Sequence, residues 1–161
     1  MMYLSALEFL EEERDAWRPF EALSELSDEA LERSVAGAHG WSGRDLMGHL
    51  AGGLERAVAV ARELAVGETS VTKDRLDAEW ATGGDAINDR YQHEWAALPL
   101  ADVRKRFHDA PGEVRGTLTV VPEVRWLKHP TNMNFLAGET IDHYVEHEAD
   151  LAAILAADGA G

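Results

Sequence analysis

Three of the seven histidines carry the spacing from which a reading of chemistry can start. His143 and His147 lie four residues apart in Glu139-Thr-Ile-Asp-His143-Tyr-Val-Glu-His147-Glu-Ala-Asp150-Leu151. On an α-helix that spacing sets both imidazoles on one face, about 6 Å apart along the axis, so both can converge on one ion. They share a stripe with Leu136, Thr140, Leu151 and Ile154, whose apolar members belong in a core. His49 sits on a comparable stripe with Leu46, Leu50, Gly53, Ala57, Val60 and Leu64. Three core-facing imidazoles need partners, because a buried polar group without one is costly. Hydrogen bonding inside the core is one solution. A divalent metal is the other, since three neutral imidazoles are a common donor set that leaves positions open for water or substrate. Zinc and nickel head the candidates, and iron and copper also accept such ligands.

Carboxylates near these histidines are candidates for supporting roles. Asp45 lies one turn before His49, and Asp150 three residues after His147. Either could accept the second ring N–H and fix the tautomer. The competing use of Asp45 is as a capping residue, and Asp150 is expected on a solvated helix surface. Glu139, one turn before His143, is a candidate fourth ligand or general base. Trp41 is a candidate pocket wall, or a buried anchor for its loop. Arg44 is a candidate for binding a substrate carboxylate, with a first-turn salt bridge as the commoner use. Gly48, Gly52 and Gly53 flank His49 and are expected to allow close helix packing. His39, His93 and His108 have no spacing that supports a second site. His129, Pro130 and Asn132 read as loop surface.

The elements that position these groups are helical. Tyr3, Leu7, Leu10, Trp17 and Phe20 predict an amphipathic helix to about Leu26, kinked or split by Pro19, with Glu11, Glu12, Glu13 and Asp15 between the apolar positions. Ser27-Asp28-Glu29 predicts an N-cap and a short helix to about Ser34. Residues 37–43 read as a loop carrying His39 and Trp41. Ser42, with Asp45 three residues on, predicts a capping box opening a helix from Gly43 to about Val66, ended by Gly67. Residues 67–84 are polar, with Gly83-Gly84 as a break, and helix is expected from Asp85 to Ala97. Pro99 ends it, and a short helix follows over 100–110. Pro111 is expected at the first position of a continuation. Residues 117–121 read as helix end or loop, and 122–130 as loop. Thr131 or Asn132 is expected to cap one last helix reaching about Ala157. Long helices, short connections and no set of strands predict an all-α bundle.

Composition narrows the function. The 161 residues suit one domain spanning the chain, and 45% apolar content suits a globular fold. A formal net charge of −15 repels phosphate backbones and anionic lipid, so neither nucleic acid nor membrane is an expected partner. The absence of cysteine excludes a disulfide framework, a thiolate metal site and a cysteine nucleophile within this sequence. No apolar run approaches a membrane span and no basic n-region precedes one, so a cytoplasmic location is expected.

The stretch Trp41-Ser42-Gly43-Arg44-Asp45-Leu46-Met47-Gly48-His49-Leu50 resembles the W-S-x-R-D-x-x-x-H-L segment of the DinB/YfiT-like superfamily. That superfamily includes the mycothiol-dependent maleylpyruvate isomerase branch. The His143-x-x-x-His147 pair with Asp150-Leu151 resembles the end of the same domain, and the order of segments agrees along nearly the whole chain. The resemblance implies a four-helix bundle, with His49, His143 and His147 as metal ligands at its open end. At His143 the isomerase branch carries Glu, so the histidine follows the wider DinB-like pattern. The segment His143-Tyr144-Val145-Glu146-His147 is also similar to the H-Y-x-E-H of the colibactin self-resistance branch.

Three functions follow from the resemblance. The first is a metal-dependent enzyme that uses a low-molecular-weight thiol, of the mycothiol or bacillithiol type, to transfer to or isomerise a small electrophile. The second is a metal-dependent hydrolase of small molecules, with Glu139 or Asp45 as base. The third is a non-catalytic, stress-induced metal-binding bundle. A homodimer through an outer helix face is compatible with each.

Overall fold

The computed structural model describes residues 3–160. All regular structure among them is helical. In chain order the α-helices are α1 (Ala6–Trp17), α2 (Asp28–Glu32), α3 (Gly43–Val66), α4 (Val71–Ala96), α5 (Leu100–Leu118), α6 (Pro130–Glu139) and α7 (Ile141–Ala160). Short 3₁₀ segments cover Arg18–Glu25, Ala36–Ala38 and Glu123–Arg125.

Helix α3 is the axis of the fold. It packs on α4, α5, α6 and α7, while α1 lies against α7. Its sequence requires this position. Leu46, Leu50, Leu54, Ala57 and Leu64 are fully buried on one side, and Met47, Ala51 and Val58 are buried on another. A helix apolar around much of its circumference must have neighbours on several sides. Each buried leucine contributes about 1.5–3 kcal/mol relative to exposure. The start of α3 is fixed locally: the Ser42 side chain accepts the Asp45 N–H, and the Asp45 carboxylate accepts the Ser42 N–H. Both bonds satisfy amides the helix itself leaves unpaired. Gly67 closes the other end.

Four expectations need correction. Residues 67–84 are not simply a polar connection, because α4 already begins at Val71, with the Ser70 side chain accepting the Lys73 N–H. The break is real but internal: Gly83 has non-helical backbone angles, φ −168° and ψ 47°. Helix α5 does not stop near residue 110 and restart. It runs through Pro111, whose one missing hydrogen bond is offset by a buried face of Val103, Phe107, Ala110, Val114 and Leu118. The last helical stretch is two helices. Thr140, at φ −122° and ψ −106°, separates α6 from α7, and its hydroxyl donates to the Leu136 carbonyl at 2.6 Å. Its cap is His129, whose Nδ1 accepts the Asn132 N–H, in place of Thr131 or Asn132.

The fourth concerns Glu13, read only as one of the acidic residues between the apolar positions of α1. It is 0% exposed. Its carboxylate accepts from Arg115 Nε at 2.5 Å and Arg115 Nη2 at 3.3 Å, and from the Tyr144 hydroxyl at 2.9 Å. One buried charge thus ties α1, α5 and α7 together. Burial, followed by the Glu13 charge and hydrogen bond, pushes the Tyr144 phenol well above its ordinary value.

Candidate metal centre

The fold brings the three histidines together. His49 comes from α3, with His143 and His147 from α7, and one ring nitrogen of each lies within 4.8 Å of the others. His49 Nε2 and His143 Nε2 face each other at 2.8 Å. Ring centroids are separated by 4.6 to 5.0 Å, all three pairs near edge-to-face. The break at Thr140 leaves the expected stripe intact: Leu136, Thr140, His143, Leu151 and Ile154 are all buried.

Electrostatics favour the uncharged state at two of the three. Burial lowers His143 to about 2, assisted by the charges of His49 and His147. Burial also lowers His49 to about 4, assisted by His147 and Arg56. Neutral imidazole is the ligating form. His143 Nδ1 is buried and has no hydrogen-bond partner. An Nε2–H···Nε2 hydrogen bond would satisfy the His49–His143 pair alone, and the convergence of a nitrogen of His147 on it goes beyond such a pair. The donor set therefore fits a divalent cation, with each ring offering a lone pair.

Around the triad the supporting residues divide. Asp150, expected at the surface, is 8% exposed, and its Oδ2 accepts from His147 Nδ1 at 2.8 Å. That bond leaves Nε2 of His147 unprotonated and free to ligate. The reason is geometric: at three residues the carboxylate curls back along the inward face of α7. Asp45 is committed to the capping box and makes no hydrogen bond to His49. Trp41 walls the site, its indole edge-on to His49 at 4.9 Å and stacked on His147 at 5.6 Å. Arg44 lines the cleft beside His49, with its guanidinium paired to Glu32 and donating to the carbonyls of Trp95, Ala96 and Leu98 at the end of α4.

Glu139 is not among the converging ligand atoms. Its Oε2 accepts from Arg56 Nε at 3.0 Å, and burial raises its carboxyl above the ordinary value against the Arg56 charge. Sequence reasoning missed Arg56. Its signal was the seven-residue step from His49, two turns along the same face of α3. The guanidinium lies 4.5 Å from the Tyr91 ring centroid. A cleft joins Arg44, Asp45, His49, Arg56, Tyr91 and Trp95. The cleft holds only about 10 Å³, and it shares Gly52, Arg56, Tyr91 and Trp95 with a surface groove of about 220 Å³ that also reaches Thr72 and Arg106 but none of the three histidines.

The glycines serve close packing. A Cβ on Gly48 would come 3.0 Å from two Trp95 atoms, and one on Gly52 3.1 Å from the indole nitrogen. At Gly53 a Cβ would meet His143 Nδ1 at 3.0 Å and Glu139 Oε2 at 3.3 Å. His93 bonds only to the Asp89 carbonyl, and His108 only to its neighbour Asp109, so neither joins the site.

The model of the mycothiol maleylpyruvate isomerase N-terminal domain matches residues 10–152. The chain belongs to this family. The match spans all three histidines and every helix from α2 to α6, and the helical DinB-like fold of the family agrees with the helices described above. No curated protein and no solved structure matches the chain. No helix among the described residues is long and apolar enough to cross a membrane.

Proposed function

We propose that this protein is a metal-dependent enzyme in which a low-molecular-weight thiol attacks, or transiently adds to, a small electrophile. The observation that carries the reading is the set of three converging imidazole nitrogens with no fourth protein ligand among them, in a chain without cysteine. His49, His143 and His147 hold a divalent cation, zinc or nickel by donor type. The bound metal supplies Lewis acidity, lowering the pKa of an incoming thiol so that a nucleophile exists at neutral pH. The remaining work belongs to this chain's side chains. Asp150 keeps His147 in the ligating tautomer. Trp41 excludes water from one flank. Arg56, aligned by Glu139 through Nε and braced on Tyr91, has terminal N–H groups with no hydrogen-bond partner among the described residues and offers them to an anionic group of the substrate.

Two carboxylates tie up the roles a hydrolase would need. Glu139 is held by Arg56 and Asp45 by the α3 cap, so neither is free to activate water beside the triad. The thiol reading needs no such base, because metal coordination itself favours the thiolate.

Cobalt-substituted protein tests this. Adding mycothiol, bacillithiol or glutathione should produce a thiolate-to-cobalt charge-transfer band, absent in His49→Ala. A spectrum unmoved by all three thiols would refute the thiol role.

A further inference from the structure

The short loop before α3 carries the one non-glycine residue with positive φ among the described residues, His39 at φ 60° and ψ 26°. Gly40 follows at φ 82°. The loop is tightly closed: Val35 N–H donates to the Trp41 carbonyl, Gly40 N–H to the Val35 carbonyl, and Trp41 N–H to the Ala38 carbonyl. Glycine is the default residue in such a conformation, and asparagine, aspartate and histidine are the side-chain-bearing residues enriched there. Strained positions of this kind persist where the surroundings over-determine them, often at functional sites.

The side chain shows what holds it. His39 is 84% exposed, yet its Nδ1 lies 3.0 Å from Asp150 Oδ1. The other oxygen of the same carboxylate accepts from His147 at 2.8 Å. A carboxylate only accepts, so both imidazoles donate their Nδ1–H and Asp150 is pinned from two sides. The same loop delivers Trp41 onto His147 and His49.

From this geometry we infer that His39 is a positioning residue of the metal centre: it fixes the Asp150 carboxylate so that His147 stays an Nδ1–H tautomer with Nε2 directed at the cation. The inference rests on the metal-binding reading of the triad. His39 touches neither cation nor substrate and acts through Asp150. Its exposure hides the role from any argument based on burial.

Two substitutions separate the imidazole from the backbone. His39→Gly accepts the left-handed conformation and deletes the donor. His39→Asn accepts it and keeps a donor toward Asp150. Zinc affinity by competition with a chromophoric chelator, and the His147 tautomer by long-range ¹H–¹⁵N spectra of metal-free protein, are the readouts. His39→Gly should weaken zinc binding about tenfold, the low end of the range for partners of ligating histidines, and mix the tautomers of His147. His39→Asn should stay within about twofold of the parent by the same reasoning. Unchanged zinc affinity and tautomer in His39→Gly would overturn the inference, as would equal losses in both variants. If the parent protein binds no zinc, the metal reading fails separately, and a His147 tautomer unmoved by His39→Gly still overturns this one.

Discussion

Replacing Glu13 by glutamine changes one buried oxygen into a nitrogen and should cost far more than most single substitutions. In the native protein Oε2 accepts from Arg115 Nε, while Oε1 accepts from Tyr144 and from Arg115 Nη2. A glutamine that keeps the Tyr144 bond must aim its NH₂ at the Arg115 Nε–H, donor against donor. The guanidinium then loses its counter-charge. Breaking a buried ion pair by removing one partner costs about 3–5 kcal/mol. Arg115 remains 19% exposed and can recover some hydration, which puts the estimate at the lower end, about 3 kcal/mol. For a chain of this length that lowers the melting temperature by about 6–12 °C. Urea unfolding followed by circular dichroism is the assay, with the midpoint moving and the slope unchanged. Glu13→Met combined with Arg115→Leu should recover most of the loss, since an apolar replacement strands no charge. A Glu13→Gln penalty below about 1 kcal/mol, the scale of an exposed pair, would refute the buried-pair argument.

Gly48→Ala should destabilise the protein although alanine is the better helix former by about 1 kcal/mol, because the new methyl meets the Trp95 Cβ and ring. A stability gain in thermal melting would show that Trp95 yields freely. Burial pushes the Glu63 carboxyl up, yet hydrogen bonding at the start of α4, from the Thr72 N–H at 2.9 Å and the Ser70 hydroxyl at 3.2 Å, outweighs this and lowers it. Its contribution to the start of α4 is therefore complete above the ordinary carboxylate value and is lost as pH falls through the lower folded value. The Thr72 amide shift in NMR should titrate with a midpoint below about 4.3, and a midpoint at or above that figure contradicts the assignment. Arg44→Ala should fray the end of α4 while leaving metal content unchanged, since Arg44 bonds to carbonyls there and not to the triad. Loss of metal in that variant would count against the separation of roles.

What the sequence made legible was what periodicity and local capping encode. The stripes carrying His49, His143 and His147 were visible because their neighbours are leucines at helical spacing. The Ser42–Asp45 cap was visible because both bonds close within three residues. The first half of α4 was hidden because it buries little beyond Lys73 and Leu76. Ion pairs at helical spacing, Lys73 with Asp77 and Arg75 with Glu79, hold it instead, and these leave no hydrophobic period. Glu13 was hidden because its partners lie 102 and 131 residues away, on α5 and α7. His39 was hidden because a left-handed turn, not a helix, carries it toward Asp150. Long-range polar pairing and loop conformation have no short-range signature.

The central claim is that three imidazoles hold one divalent ion. Elemental analysis of protein purified without a histidine tag, beside His49→Ala, His143→Ala and His147→Ala, tests it most directly. The account predicts about one metal per chain in the parent and its loss from each folded variant. Metal-free parent protein after purification in metal-supplemented buffer, or metal retained in all three variants, would contradict it.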